Sequence, residues 1–386
     1  MAVQAAPASS STIVTVDDVR FRNYGVRDGL SQSSARSMLQ DATGAVWIGT
    51  EDGLNRFDGY EFKVYRADQE RPDALPDPHV QVLAPSRRGG FWVGTRAAGI
   101  ARYRPEQDDF VRYPAPGVVG DDERNAVLAL QETADGRLWI GTSGDGLHWL
   151  DPADDRFHRL PESLNRELGS VSALAVLDGQ LLAGGKDGLW LVDASGRTAR
   201  RWGRAGTDLR VDAIQPSPNQ REIWVGTRFA GMFRFDRSGR QLGHWGVDDG
   251  MPHVTVRDMA FDRQGRLWIA TLGGLARFDS PALPLKVWRY GSGLGDRLPS
   301  DRLQQLMVDR DGLIWVGTHL SGASVIAPHS QVFKEIQIRS QSSAGNGGGG
   351  VAVTTLLAEP DGSLWMGATE GVGVIHYDFQ RGVLAQ

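Results

Sequence analysis

His79, His148, His158, His244, His253, His319, His329 and His376 are the side chains of this sequence best suited to hold a metal or move a proton near neutral pH. Their spacing gives neither H-x-H nor H-E-x-x-H, so no local zinc motif exists. The absence of cysteine excludes disulfides, thiolate metal sites and a Cys nucleophile. Asp309-Arg310-Asp311-Gly312 begins like a calcium loop, but the later acidic ligands are missing and Leu313-Ile314-Trp315 follows at once. Gly347 to Gly350 and Gly184-Gly185-Lys186-Asp187 both lack the Gly-Lys-Ser/Thr ending of a phosphate loop. No G-x-S-x-G elbow occurs. No catalytic residue, metal ligand or cofactor is expected from this pattern.

Binding is easier to place than catalysis, because the remaining charged and aromatic groups fall at recurrent positions in a repeat. One set lies in a recurrent turn: Glu51, Asp52, Arg96, Asp145, Lys186, Asp187, Arg228, Phe229 and His319. A second set lies in the connections between repeats: Asp28, Gln32, His79, Arg124, His253 and Arg302. If these converge, they suit a polar ligand such as an oligosaccharide or a peptide. Taken singly, each is an ordinary solvated loop residue. A net charge of −5 argues against a nucleic-acid partner. No apolar run approaches the roughly 18 residues that span a bilayer.

The elements that must position these residues are set by repetition. Trp47-Ile48-Gly49-Thr50 returns as Trp92-Val93-Gly94-Thr95, Trp139-Ile140-Gly141-Thr142, Trp224-Val225-Gly226-Thr227, Trp268-Ile269-Ala270-Thr271, Trp315-Val316-Gly317-Thr318 and Trp365-Met366-Gly367-Ala368. Leu182-Ala183-Gly184-Gly185 is a degenerate copy, which predicts a looser fourth unit. Around each copy, Gly-containing turns such as Asp41 to Gly44, Glu51-Asp52-Gly53 and Asp58-Gly59 separate short runs of β-branched and aromatic residues. Each repeat therefore reads as four antiparallel strands, A to D, and helix should be scarce. A lone four-stranded meander cannot bury both faces; stacking such sheets radially does so. The recurrent indole is the packing device, since burying one contributes about 4–6 kcal/mol gross. The Gly after it lets neighbouring backbone approach. The fold class expected is all-β, a β-propeller of four-stranded antiparallel blades.

Val19 to Tyr24 precedes the first A strand and matches strand D of other repeats, such as Lys286 to Tyr290. In one closure it completes the seventh A–B–C set, Leu303 to Ile326, giving seven blades with an eighth repeat opening a second propeller. In the other it completes the eighth set, Val351 to Tyr377, giving one eight-bladed ring. The Ser- and Gly-rich stretch Arg339 to Gly350 favours the first. The expected organisation is a disordered leader over 1–17, a seven-bladed propeller over 18–330, and the eighth repeat over 331–386. The leader, with Ala2, Ala5, Ala6 and Ala8, reads either as a plain tail or as the remnant of a secretory signal.

The stretch Phe21-Arg22-Asn23-Tyr24, Gly29-Leu30-Ser31-Gln32-Ser33 and Gly53-Leu54-Asn55-Arg56-Phe57-Asp58-Gly59-Tyr60 resembles the first blade of the two-component-regulator propeller family. It is distinct from WD repeats, because no Gly-His or closing Trp-Asp pair recurs. The resemblance runs from about residue 18 to the C-terminus. It implies the periplasmic sensor region of a bacterial membrane receptor. In that family two seven-bladed propellers precede an immunoglobulin-like domain, a membrane helix and a histidine kinase or diguanylate cyclase output. By that resemblance the chain is non-catalytic, any output chemistry lies outside it, and dimerisation runs through the full-length receptor. An interaction scaffold and a propeller lyase or hydrolase are the competing readings.

Overall fold

The computed structural model describes residues 12–17, 19–113, 126–186, 188–203, 209–292, 294–327, 335–340, 352–368, 373–378 and 382–385. The chain divides into two compact units, Arg20–His329 and a smaller one formed by Met1–Val19 with Ser330–Gln386.

The larger unit holds seven sheets. The first six run in strand order A–B–C–D, from Ser37–Gln40, Val46–Thr50, Gly53–Phe57 and Phe62–Tyr65 in blade 1 to Val256–Phe261, Leu267–Thr271, Gly274–Phe278 and Lys286–Trp288 in blade 6. Blade 7 takes A, B and C from Leu303–Val308, Ile314–Thr318 and Ala323–Ile326, and its D strand from Arg20–Tyr24 at the other end of the unit. The closing register is antiparallel, Phe21 opposite Ile326 and Tyr24 opposite Ala323. The alternative eight-bladed closure needs that strand on Gly373–Asp378, which pairs instead with Leu364–Ala368 and Gly382–Ala385. Successive A strands touch in blade order and the seventh touches the first, so the ring is shut.

The core lies between blades. Trp47 and Leu54 of blade 1 are buried against Val80, Phe91 and Tyr103 of blade 2. Across the closure, Tyr24 stacks on Trp315 at 5.7 Å and meets Phe57 of blade 1 at 4.8 Å. The closing strand thus contributes side chains to the 7–1 junction as well as backbone hydrogen bonds.

Each residue of the signature has a separate task. A Cβ added at Gly49 would stand 2.4 Å from Val80 of the next blade, and one at Gly226 would stand 2.5 Å from Val256, so close stacking requires the missing side chain. The Thr hydroxyl donates to the carbonyl that closes its B–C turn, as from Thr50 to Gly53 at 3.0 Å and from Thr227 to Gly231 at 2.8 Å. In four copies the indole N–H donates to a carboxylate six residues upstream in the A–B turn, whereas Trp92 donates to Glu132 of blade 3 at 3.0 Å. The four bonds are Trp47 to Asp41 at 2.7 Å, Trp268 to Asp262 at 2.9 Å, Trp315 to Asp309 at 3.0 Å and Trp365 to Glu359 at 2.9 Å. Asp309, the first residue of the calcium-like string, is therefore a turn acid. It accepts Asp311, Leu313 and Trp315 N–H groups.

The degenerate fourth copy still forms four strands, Val171–Leu177, Gln180–Gly185, Gly188–Val192 and Ala199–Arg201. Leu182 is buried there with Leu189, Leu191 and Trp202. One α-helix, Glu162–Leu168, leads into this blade among the described residues.

In the smaller unit, Thr12–Asp17 pairs antiparallel with Glu335–Ser340. This corrects the expected leader over 1–17: Thr12-Ile13-Val14-Thr15-Val16 is β-branched throughout and takes a strand when a partner strand is offered. It also shortens the expected linker, since Arg339 and Ser340 end a strand and 341–350 lie outside the described residues. The eighth repeat forms a four-stranded sheet of its own, Val353–Ala358, Leu364–Ala368, Gly373–Asp378 and Gly382–Ala385.

Candidate functional site

Chain direction puts the D–A connections and B–C turns at one end of the ring, and the A–B turns at the other. The Trp-to-A-strand register defines three aligned positions per blade at the first end. The first precedes strand A: Ser34, His79, Ala126, Ser170, Arg210, Thr255 and Arg302. The second follows the buried residue that opens strand A: Arg36, Gln81, Leu128, Ser172, Asp212, Arg257 and Gln304. The third follows the signature: Glu51, Arg96, Ser143, Lys186, Arg228, Leu272 and His319. Backbone hydrogen bonds lock the third position to the first in blades 2 to 7, as Arg96 N to His79 O at 3.1 Å and Arg228 N to Arg210 O at 2.8 Å. The mouth of the channel is therefore a rigid frame carrying variable side chains.

Those side chains meet across blades. Arg36 donates to Glu51 at 2.6 and 3.1 Å, and to Gln81 of blade 2 at 3.2 Å. The Arg36 guanidinium holds the Glu51 carboxyl below its ordinary value against the opposing effect of burial. His79 and His319, from the blades on either side, act in the same direction. Across the ring, Asp212 of blade 5 has a side chain only 3% exposed and accepts from Arg228 at 3.0 and 3.1 Å. It also accepts from Arg257 of blade 6 at 2.9 Å. Arg257 continues to Gln304 of blade 7 at 3.2 Å, and Gln304 pairs with His319 Nδ1 at 3.2 Å. Burial and the neighbouring Arg228 and Arg257 charges push the Arg210 pKa down, with Asp212 opposing.

The channel wall below the mouth carries one further carboxylate. Asp258 of blade 6 accepts Leu306 N–H of blade 7 at 2.9 Å. Burial pushes its carboxyl up to about 6, partly offset by that bond, the Met259 N–H it also accepts, and Arg257. An open cleft of about 530 Å³ lies at the opposite end, lined by Met38, Gln40, Leu83, Pro85, Met307 and Arg310. The cleft is also lined by Asp41 and Asp309, which accept the Trp47 and Trp315 indole N–H groups, while Arg310 donates to the Asp41 and Ala42 carbonyls, so its three charged side chains are engaged in the A–B turns.

The residues singled out in the sequence divide accordingly. Glu51, His79, Arg96, Lys186, Arg228, Arg302 and His319 occupy the aligned mouth positions, and Glu51, Arg228 and His319 bond to Arg36, Asp212 and Gln304 of their own blades, which in turn reach neighbouring blades. Asp52 pairs instead with Arg66 of its own blade, and Asp145 pairs with His148 at 3.0 Å. His253 is turned into its own connection, accepting Thr255 N–H at 2.9 Å. Gln32 accepts Ser34 N–H, and Asp28 accepts Gly25 N–H at 2.8 Å, so both shape the closure loop. Phe229 is 66% exposed beside Arg228. Arg124 and Asp187 lie outside the described residues. Sequence reasoning missed Arg36, Gln81, Arg210, Asp212, Arg257 and Gln304. For Arg36, Gln81, Asp212, Arg257 and Gln304 the signal was present as the variable column one residue after the mostly Val residue that opens strand A, and for Arg210 as the residue just before it. Among the described residues no three His, Asp or Glu side chains gather as a metal cluster, and no helix is long and apolar enough to cross a membrane.

Comparison with known proteins bears on these repeats. The family model described as two component regulator propeller matches residues 29–52, 123–144, 250–273 and 297–319. Histidine kinase P4 of Formosa agariphila is 52% identical over 50 residues, which cover 13% of this chain and 4% of that protein. Among solved structures, one described as the extracellular domain of a hybrid two component system from B. thetaiotaomicron matches with a TM-score of 0.69 at 21% identity. That match covers 95% of this chain and 54% of the other, so this chain spans about half its length. Virginiamycin B lyase from Staphylococcus aureus matches with a TM-score of 0.62 at 14% identity, over 82% of this chain and 99% of the lyase. At these identities both structures share the fold.

Proposed function

We propose, from the four segments that match the two component regulator propeller model, that the seven-bladed ring is the extracytoplasmic, periplasmic sensor of a bacterial two-component receptor. It binds a polar ligand, an oligosaccharide or a peptide, at the mouth formed by the D–A connections and B–C turns. It is non-catalytic, and the output chemistry belongs to other segments of the receptor. One observation carries this reading. Charged and polar side chains from blades 1 and 2, and from 5, 6 and 7, meet across blade boundaries at one mouth, on positions held by backbone bonds in blades 2, 5, 6 and 7. A surface kept merely for solubility has no reason to join neighbouring blades through a common ring of side chains.

The eighth repeat is read as the first blade of a second ring. Its sheet exposes Leu356 at 67% and Leu357 at 63%, the faces that a propeller blade covers with its neighbours.

The test is a thermal-shift screen of soluble glycans, peptides and metabolites. A ligand at 100 times its Kd stabilises the ring by about 2.7 kcal/mol, which moves the melting temperature by several degrees. Arg96→Ala and Arg228→Ala should abolish that shift. Full affinity in both variants refutes the mouth as the site.

A further inference from the structure

At the three aligned positions of the mouth the charge is opposite in sign to that of the chain. Across the three aligned positions of the seven blades stand seven Arg and Lys residues: Arg36, Arg96, Lys186, Arg210, Arg228, Arg257 and Arg302. Only two carboxylates share those positions, Glu51 and Asp212. The whole chain carries −5. The imbalance is sharpest at blades 5 and 6, where three guanidiniums, those of Arg210, Arg228 and Arg257, surround the single carboxylate of Asp212. Asp212 accepts three hydrogen bonds, all from two of them. The third, Arg210, is half-buried, and its side chain has no hydrogen bond or ion pair among the described residues. Like charges gathered without enough counter-charge repel, and the repulsion is relieved when an anion seats among them.

Phe229 supplies the second element. It follows Arg228 in the same turn and presents its ring to solvent, where a large apolar side chain gains nothing from burial. A phenyl face beside guanidiniums is a platform for the apolar face of a sugar ring, with the anion on that sugar reaching the arginines.

We propose that the mouth takes an acidic oligosaccharide, its carboxylate or sulfate held by Arg210 and Arg228 with one ring stacked on Phe229. This deepens the sensor reading and rests on the mouth being the ligand site. Carboxylate and sulfate present the same charge-assisted acceptor chemistry, and the experiment separates them.

Calorimetric titration of the full chain with tetragalacturonate, a sulfated carrageenan tetraose without carboxylates, and neutral maltotetraose tests the proposal. Binding of at least one acidic probe is expected, weakening severalfold between 50 and 500 mM NaCl, with maltotetraose silent. The acidic probe that binds identifies the anion. Arg210→Gln should weaken it by about tenfold, one charge-assisted bond's worth, and Arg210→Lys should restore most of it. Among the described residues the Arg210 side chain makes no hydrogen bond or ion pair that its removal would break, so folding is expected to survive; a circular dichroism melt checks this. Phe229→Ala should weaken the acidic probe while leaving its salt dependence intact. Equal binding of maltotetraose, or an unchanged affinity in Arg210→Gln, overturns the acidic-ligand inference but leaves the mouth as a ligand site. Silence of all three saccharides while another compound of the broader screen binds also overturns it and spares the sensor reading. If no compound in that screen binds, both fall.

Discussion

The absence of cysteine allows the ring closure to be tested by a single engineered cross-link. Arg22 of the closing strand stands directly opposite Val325 of blade 7 in the antiparallel register. Cross-strand partners have Cα atoms about 4.5–5.5 Å apart, inside the range a disulfide spans. The double variant Arg22→Cys/Val325→Cys closes a loop of about 300 residues, for which the chain-entropy relation gives roughly 5–6 kcal/mol. Native-state strain and the lost Arg22–Tyr24 cation–π contact reduce this, so roughly 2–4 kcal/mol is the working expectation. For a unit of this size that is a rise of several degrees in melting temperature. The assay is thiol titration under mild oxidation followed by melts with and without reductant. Oxidised protein should show no free thiol and should melt higher, and reductant should remove the difference. The companion variant Arg22→Cys/Val374→Cys, which an eight-bladed ring would join, should keep both thiols. Persistent thiols in the first variant, or a stabilising link in the second, would refute the closure described here.

Three further outcomes follow from the side-chain arrangement. Asp262→Ala removes the acceptor of Trp268 Nε1 at 2.9 Å and of Arg266 at 2.7 Å together with its turn bonds. It should cost about 2–3 kcal/mol by denaturant titration, and no measurable loss would sink the turn-acid role. Asp212→Asn leaves three crowded guanidiniums with less counter-charge, so it should destabilise by about 2–3 kcal/mol at low salt and recover part of that at 500 mM NaCl. A loss independent of salt would contradict the repulsion argument. Asp258 has a folded pKa of about 6, above the carboxylate's unfolded value, so its neutral form favours the folded state. That contribution is fully present below pH 4 and is lost as the pH rises through about 6. Relative to Asp258→Asn, the wild type should therefore lose stability across that window, by at most about 3 kcal/mol and less where the channel is wet. A flat difference between the two proteins from pH 4 to 7 would rule this out.

The blades were legible because the signature is a packing requirement. A residue that must fit beside the next blade, such as Gly49 against Val80, has no freedom to drift, so the period survives in the letters. The closing strand was legible for the same reason, since Phe21 and Tyr24 repeat the pattern of a D strand. The turn acid escaped notice although its spacing is fixed, because an acid in an Asp-Gly turn has a sufficient local explanation in the turn itself. Half of the mouth was invisible for a different cause. Turn residues such as Arg228 stand out as variable loop positions, whereas Asp212 and Arg257 lie inside strands whose other residues are core. Only the register across blades shows that this column faces the channel. Local pairing also removed expected members: Asp145 is satisfied by His148 and Asp52 by Arg66, contacts that depend on side-chain reach and not on position in the repeat. Thr12–Asp17 was misread because an isolated β-branched run has no visible partner until Glu335–Ser340 is placed beside it.

The account turns on which end of the ring meets the ligand. Amide hydrogen exchange, measured with and without saturating acidic tetrasaccharide from the titrations, reads this directly. Slower exchange is predicted in the B–C turns and D–A connections around Arg36, Arg96, Arg210 and Arg228, with the A–B turns at Asp41–Gly44 and Asp309–Gly312 unchanged. Protection confined to those A–B turns, or to the outer D strands, would contradict it.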